Sequence, residues 1–177
     1  MLRRYALALC LASSSALAQT ADRDLPKGKE LIVVYVGATS CAPCLLPATK
    51  SAVARMKVLL ANFAEKNGYA FSAVGVSTDW STADGIKFLS DNAPFDQLVI
   101  GGNWTNLAVE HYIWRDSAAT PAMPQVVVLQ RSVTLGDRID ISPARVLRRV
   151  FGSNEIPKWV EAGAPVTLAP GSAPDRR

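Results

Sequence analysis

Two cysteines stand in the order Cys41-Ala42-Pro43-Cys44, after the apolar run Leu31-Ile32-Val33-Val34-Tyr35-Val36 and a short Gly37-Ala38-Thr39-Ser40 stretch. One turn of helix brings positions i and i+3 onto the same face, so two sulfurs at this spacing can meet. A cysteine at a helix start also lies beside N–H groups that have no helical partner and at the positive end of the dipole. Both favour the thiolate, the form that attacks a disulfide.

Three chemistries share this spacing: thiol–disulfide exchange, half of a zinc site, and an inert structural bridge. A structural zinc site needs four ligands, usually Cys or His. Besides Cys41 and Cys44 the chain offers Cys10, inside an apolar leader, and a single histidine, His111, on a predicted helix beside Tyr112, Ile113 and Trp114. A packed or half-exposed helix histidine is the simpler account of His111, so no metal site is assigned. An inert bridge is weak on physical grounds, because a disulfide stabilises mainly by closing a long loop of the unfolded chain, and closure across Ala42-Pro43 removes little entropy. Thiol–disulfide chemistry is the best reading, since C-x-x-C between a strand and a helix is its sequence signature. Pro43 fixes the backbone within the first turn and lacks only an N–H that the helix would leave unpaired.

The elements that must position the two cysteines follow from periodicity. The continuous, β-branched Leu31–Val36 run predicts a strand buried on both faces. Cys44 to about Asn67 predicts a helix, with Ala52, Val53, Met56, Leu59, Leu60 and Phe63 at helical spacing, Lys50, Arg55, Lys57, Glu65 and Lys66 at polar positions, and Gly68 as its stop. Pro47 either kinks that helix or marks its true start. Further along, Tyr69–Val76 predicts a strand, Thr82 or Asp84 through Asp91 a helix, Gln97–Ile100 a short strand and Asn106–Trp114 a helix. Gln125–Gln130 predicts a strand, with Val133–Ile141 as its hairpin partner. Ser142-Pro143 predicts the cap and first turn of a helix through Phe151. Pro157–Ala162 predicts a short helical turn. The order βα, βα, βα, ββα implies an α/β domain with a parallel sheet, helices around it and an antiparallel closing hairpin.

The ends of the chain carry a second message. Arg3-Arg4, the apolar Tyr5–Ala12 core, three serines and Ala16-Leu17-Ala18 match a secretory signal with an A-x-A cleavage site. We therefore expect a signal peptide over 1–18, a linker over 19–30, one domain over 31–163 and a disordered tail over 164–177 rich in Pro, Ala and Gly. The expected compartment is the periplasm or the exterior, where disulfides persist. About 160 mature residues suit one domain with a real core. The formal charge of +4 overstates the basic surface, because Arg3 and Arg4 leave with the signal and Arg176 and Arg177 fall in the tail. No Lys/Arg run with interleaved aromatics points to nucleic acid, and no mature segment has the length of a membrane span.

Together these motifs resemble the thioredoxin-fold superfamily, and most closely its exported TlpA-like (ResA-like) thiol–disulfide oxidoreductases. The resemblance runs over about Leu31 to Phe151. It rests on the strand and C-x-P-C at Val33–Cys44, on Val74-Gly75-Val76-Ser77-Thr78-Asp79, on the extra helix–strand unit at Ile86–Ile100, and on Met123-Pro124-Gln125-Val126-Val127-Val128. It implies a thioredoxin-like fold: a central mixed sheet with helices on both faces and an extra helix–strand insertion. It also implies a cis Met123–Pro124 bond that faces Cys41 and Cys44 and leaves the Met123 backbone free to pair with an extended substrate strand. Two positions depart from the pattern. Thioredoxins carry an acidic residue in the strand before C-x-x-C, where this chain has Tyr35, and an aromatic just before the first cysteine, where it has Ser40. Glu30 and Glu110 are the carboxylates considered as substitutes.

The expected activity is protein thiol–disulfide exchange. Cys41 attacks, Cys44 resolves, Ala42 and Pro43 complete the motif, and Met123 and Pro124 contact the substrate. No charge or histidine between the cysteines stabilises the thiolate strongly, which inclines the reading to a reductase. The partners are protein thiols or disulfides and a redox protein that resets the dithiol; no cofactor is called for. A peroxiredoxin-like peroxidase is disfavoured, because Ala38 stands where that motif needs a hydroxyl three residues before the cysteine. The other class kept open is a redox-inactive or weakly active thioredoxin-fold binding module for a periplasmic partner.

Overall fold

A computed structural model describes residues 27–115 and 120–169. The predicted signal peptide, most of the predicted linker and the end of the predicted tail lie outside them. The elements run β1 (Gly28–Gly37), α1 (Ala42–Leu45), α2 (Pro47–Lys66), β2 (Ala70–Ser77), α3 (Thr82–Ser90), β3 (Gln97–Val99), α4 (Leu107–Val109) continued by a π-helical turn (Glu110–Trp114), β4 (Gln125–Leu135), β5 (Ile139–Ile141), β6 (Arg145–Phe151) and α5 (Glu155–Glu161). The strands form one mixed sheet in the order β3-β2-β1-β4, with β5 and β6 sharing the outer edge of β4. β1, β2 and β3 are parallel, and β4 runs antiparallel to β1.

β1 is central and buried on both faces, as its unbroken apolar run requires. Side chains alternate along a strand. Leu31, Val33 and Tyr35 therefore face α2, α3 and α5 through Val53, Met56, Leu60, Phe88, Leu89, Ile156 and Trp159. Ile32, Val34 and Val36 face the other way, onto Ala108, Val109 and Ile113. Helical segments thus cover both faces of the sheet. Among the described residues no helix is long and apolar enough to cross a membrane.

Three expectations from the sequence change. The segment after Ser142-Pro143 is a strand, not a helix. Val146, Leu147, Val150 and Phe151 have helical spacing, but β6 pairs with β4 from Gln125↔Phe151 to Gln130↔Arg145, with a bulge at Val128/Leu129. Without β6 the buried half of β4 would present an open edge, and pairing that edge outweighs local propensity. The hairpin over Val133–Ile141 is narrower than predicted, since β4 continues to Leu135 and only Ile139–Ile141 returns against it. The Asn106–Trp114 helix is one α-turn, capped by the Asn106 side chain on the Val109 N–H, followed by π geometry.

Pairing and burial extend to both margins of the described residues. Gly28, Lys29 and Glu30 already pair in β1, opposite Val133, Ser132 and Arg131. Beyond Gly163 the chain stays against the body: Ala164 is buried, the Trp159 indole donates to the Pro165 carbonyl, and the Ala169 N–H donates to Gln130 Oε1.

Candidate functional site

β1 and β2 run parallel and end together at Gly37 and Ser77. β4 starts at the same end, with Gln125 opposite Val36. β1 is where the chain order reverses, with β2 on one side and β4 on the other. In open α/β sheets this position, outside the carboxyl ends of the parallel strands, is where sites form. Both the Cys41–Cys44 segment and Met123-Pro124 lie there, because one follows β1 and the other precedes β4.

Cys41 and Cys44 are joined as a disulfide, with Cα atoms 5.2 Å apart. Cys41 caps α1, and its Sγ accepts the Cys44 N–H at 3.2 Å. α1 is a single turn. Pro47 disfavours helical geometry at the residue before it, and Leu46 is extended at φ −59°, ψ 136°. The long helix predicted from Cys44 therefore begins anew at Pro47, which the sequence offered as one of two outcomes. The N–H directed at the Cys41 sulfur is thus this local one, and the twenty-residue helix starts only at Pro47. The Thr49 hydroxyl donates to the Pro43 carbonyl at 2.9 Å and ties the two helices across the break. Cys41 retains 7% of its surface exposed, whereas Cys44 has none.

The floor beneath Cys44 is aromatic. A Cβ placed on Gly37 would come within 2.5 Å of Phe88 Cζ and 3.2 Å of Cys44 Sγ, so the Phe88 ring and Cys44 both crowd the end of β1. Tyr35 stacks on Phe88 and Phe95 with ring centroids 6.0 and 6.5 Å away. Burial raises the Tyr35 phenol pKa and keeps it neutral, and its hydroxyl has no hydrogen-bond partner among the described residues.

Neither carboxylate considered as a substitute reaches this site. Glu30 lies at the opposite end of β1, seven residues and roughly 23 Å from Gly37 at strand rise. It is buried in an ion pair with Arg131 Nε at 2.6 Å and accepts the Ser72 hydroxyl. Glu110 is half-exposed and pairs with Arg115 at 2.8 Å.

The carboxylate that does stand at the site is Asp79, which the sequence reading used only as part of a strand ending. It is buried, and both its oxygens accept the Thr39 N–H at 3.1 Å. It also accepts the Thr39 hydroxyl at 2.5 Å and the Ser77 hydroxyl at 2.7 Å. Between Ser77 and Asp79, the Thr78 N–H donates to the Gly37 carbonyl at 2.9 Å, and its hydroxyl lies 2.9 Å from Met123 Sδ. The available signal was the run of three polar residues directly after an apolar strand.

Met123–Pro124 is cis, as the resemblance implied. The Pro124 carbonyl accepts the Gly152 N–H at 2.8 Å, and Met123 packs against both faces of the core. Ala93–Pro94, which the sequence did not flag, is also cis. Around the dithiol, Leu45, Leu46 and Trp80 are exposed. Of the other tryptophans, Trp114 is exposed and Trp159 belongs to the core. His111 lies on the π-helical turn, edge-on to Tyr112 at 4.8 Å. Among the described residues no three His, Cys, Asp or Glu side chains converge on a metal-sized site.

A hollow of about 460 Å³ lies elsewhere, between α2 and the β2–β3 edge, lined in part by Lys57, Phe71, Pro94 and Phe95. It is separate from the dithiol in the chain elements that form it.

Comparison with family models, with curated proteins and with solved structures finds no match to this chain.

Proposed function

We propose that this chain is an exported thiol–disulfide oxidoreductase of thioredoxin-like fold, acting in the periplasm or outside the cell and leaning to reduction of its partners. The observation that carries the reading is the Cys41–Cys44 disulfide at the β1–α1 junction, in which Cys41 keeps 7% of its surface exposed and Cys44 none. Disulfide exchange calls for the more accessible of two cysteines to attack and the fully shielded one to resolve.

In the reducing direction, the Cys41 thiolate attacks one sulfur of a partner's disulfide. The partner's S–S bond breaks, a Cys41–partner mixed disulfide forms, and the other partner sulfur leaves as thiolate. Cys44, deprotonated, then attacks Cys41 Sγ. This releases the partner's second thiolate and leaves Cys41–Cys44 oxidised. Two electrons pass to the partner, and a separate dithiol protein returns them. Met123 and Pro124 form the facing wall, where the Met123 backbone is suited to an extended substrate segment. Thiol exchange needs no cofactor beyond the cysteine pair.

The test is a Cys44→Ala variant, reduced and mixed with exported proteins from the same compartment. We expect a covalent mixed disulfide through Cys41 that dissolves on reduction and contains the partner. No trapped species from a reduced and alkylatable Cys41 would sink the mechanism.

A second reading is a binding module without redox turnover, favoured by the exposed Leu45, Leu46 and Trp80 beside the dithiol and by Tyr35 in place of a carboxylate. A double Cys41→Ser, Cys44→Ser variant separates the two. Partner binding and biological function both survive it if binding is the role, and function is lost if turnover is.

A further inference from the structure

Asp79 takes no part in the strand pairing of the sheet. It lies beyond the last residue of β2, yet it is buried with 7% of its surface exposed. A buried carboxylate is costly unless hydrogen bonds compensate it. Here the donors come chiefly from one place: the Thr39 N–H, shared between both oxygens, and the Thr39 hydroxyl. Ser77 completes the cage, its hydroxyl donating to Oδ2 at 2.7 Å and accepting the Asp79 N–H at 3.0 Å. Thr39 sits two residues before Cys41, inside a turn closed by the Cys41 N–H on the Ala38 carbonyl at 3.2 Å. The stretch from the end of β1 to Cys41 is therefore held at three points: by Thr78 on Gly37, by Asp79 on Thr39 and by the Cys41 N–H on the Ala38 carbonyl.

We propose that Asp79 is the positioning residue for Cys41: through Thr39 it fixes the turn that presents the attacking sulfur, and so sets the reactivity of Cys41. This rests on Cys41 being the nucleophile. The physical basis is general, since hydrogen bonds to an ionised acceptor are about twice as strong as neutral ones, and two of them on one residue fix orientation as well as distance. A nucleophile misplaced by about 1 Å can lose roughly a hundredfold in rate. The same Ser77-Thr78-Asp79 segment holds Met123 on the facing wall through Thr78. It thereby links the segment carrying the attacking sulfur to the segment expected to hold the substrate.

The experiment reads the rate and pH profile of iodoacetamide alkylation at Cys41, in the reduced full chain with Cys44→Ala as background. Urea midpoints are measured in parallel. Asp79→Asn removes one acceptor oxygen and the charge. Thr39→Val removes the hydroxyl donor and keeps the backbone N–H. Thr39→Ser restores a hydroxyl. We expect Asp79→Asn to slow alkylation about tenfold and to displace its pH midpoint. Thr39→Val should slow it less, the double variant should be no slower than Asp79→Asn alone, and Thr39→Ser should react like wild type.

Wild-type rates in Asp79→Asn, or independent multiplication of the two losses, would overturn the proposal. So would a rate loss that vanishes once the fraction unfolded is corrected for. If Asp79→Asn does not fold, the Thr39→Val and Thr39→Ser pair decides, because the inference fails if both react alike. If the parent Cys41 alkylates no faster than a free thiol, the nucleophile assignment itself fails. That result is distinct from a reactive Cys41 that ignores Asp79.

Discussion

Tyr35 puts an aromatic ring at the position where the resemblance calls for a carboxylate, and its surroundings explain why a carboxylate would not fit. Phe88 and Phe95 stack against the ring, and among the described residues no partner stands within hydrogen-bond reach of its hydroxyl. A buried hydroxyl without a partner carries a desolvation cost of about 1–3 kcal/mol. Tyr35→Phe should therefore hold or raise stability, by roughly 1 kcal/mol in urea unfolding, with the ring packing kept. A clear loss would show that the hydroxyl is satisfied in solution. The two cysteines were legible from residue type and local spacing, and Met123-Pro124 from the resemblance. Asp79 was not. Its hydrogen-bond partner is Thr39, forty positions away in the chain, and nothing in a polar triplet after a strand says which turn it will meet.

At the scale of elements, the dithiol depends on how closely β1 and α3 approach. Gly37 permits that approach, since any Cβ there meets the almost fully buried Phe88 ring at 2.5 Å. Gly37→Ala should cost about 1–3 kcal/mol, the range for overpacking a well-filled site. Because Cys44 Sγ is the next neighbour, it should also change the redox potential of the pair, measurable against a glutathione series. An unchanged potential would show that α3 moves away without disturbing Cys44. Helix and strand identities were readable wherever one periodicity stood alone: β1, α2, β2, α3 and β3 all lie near their predicted ranges. β6 was not, because its apolar positions fit both a helical stripe and an edge strand. The choice was made by β4, whose buried half needs a partner.

At the scale of the whole molecule, burial reaches a side chain that reads as solvent-facing. Lys57 has the spacing of a polar helix position, yet the chain from Asn92 to Asp96 closes over it. Its ammonium donates to the Asn92 and Pro94 carbonyls and lies 4.2 Å from the Phe95 ring centroid. Burial lowers its pKa from the ordinary 10.5 to about 8, a shift that Asp96 partly opposes. The unfolded chain then binds more protons than the native one between these values, so this group makes stability rise with pH from about 8 towards 10. Above pH 10, Tyr35 acts in the opposite sense, because its native pKa is raised. Thermal unfolding between pH 7.5 and 9.5 should show the rise in the parent and a flatter profile in Lys57→Met; equal slopes would contradict it. From sequence alone one could determine the cysteine pair and its place after a buried strand, because each is written in neighbouring residues and a short period, while the cis Met123–Pro124 bond followed from the resemblance. Only the tertiary structure decided which carboxylate stands beside the cysteine turn, which face buries Lys57 and what β6 becomes. Each of those depends on groups brought together from distant parts of the chain, and the energy of such contacts exceeds any local preference.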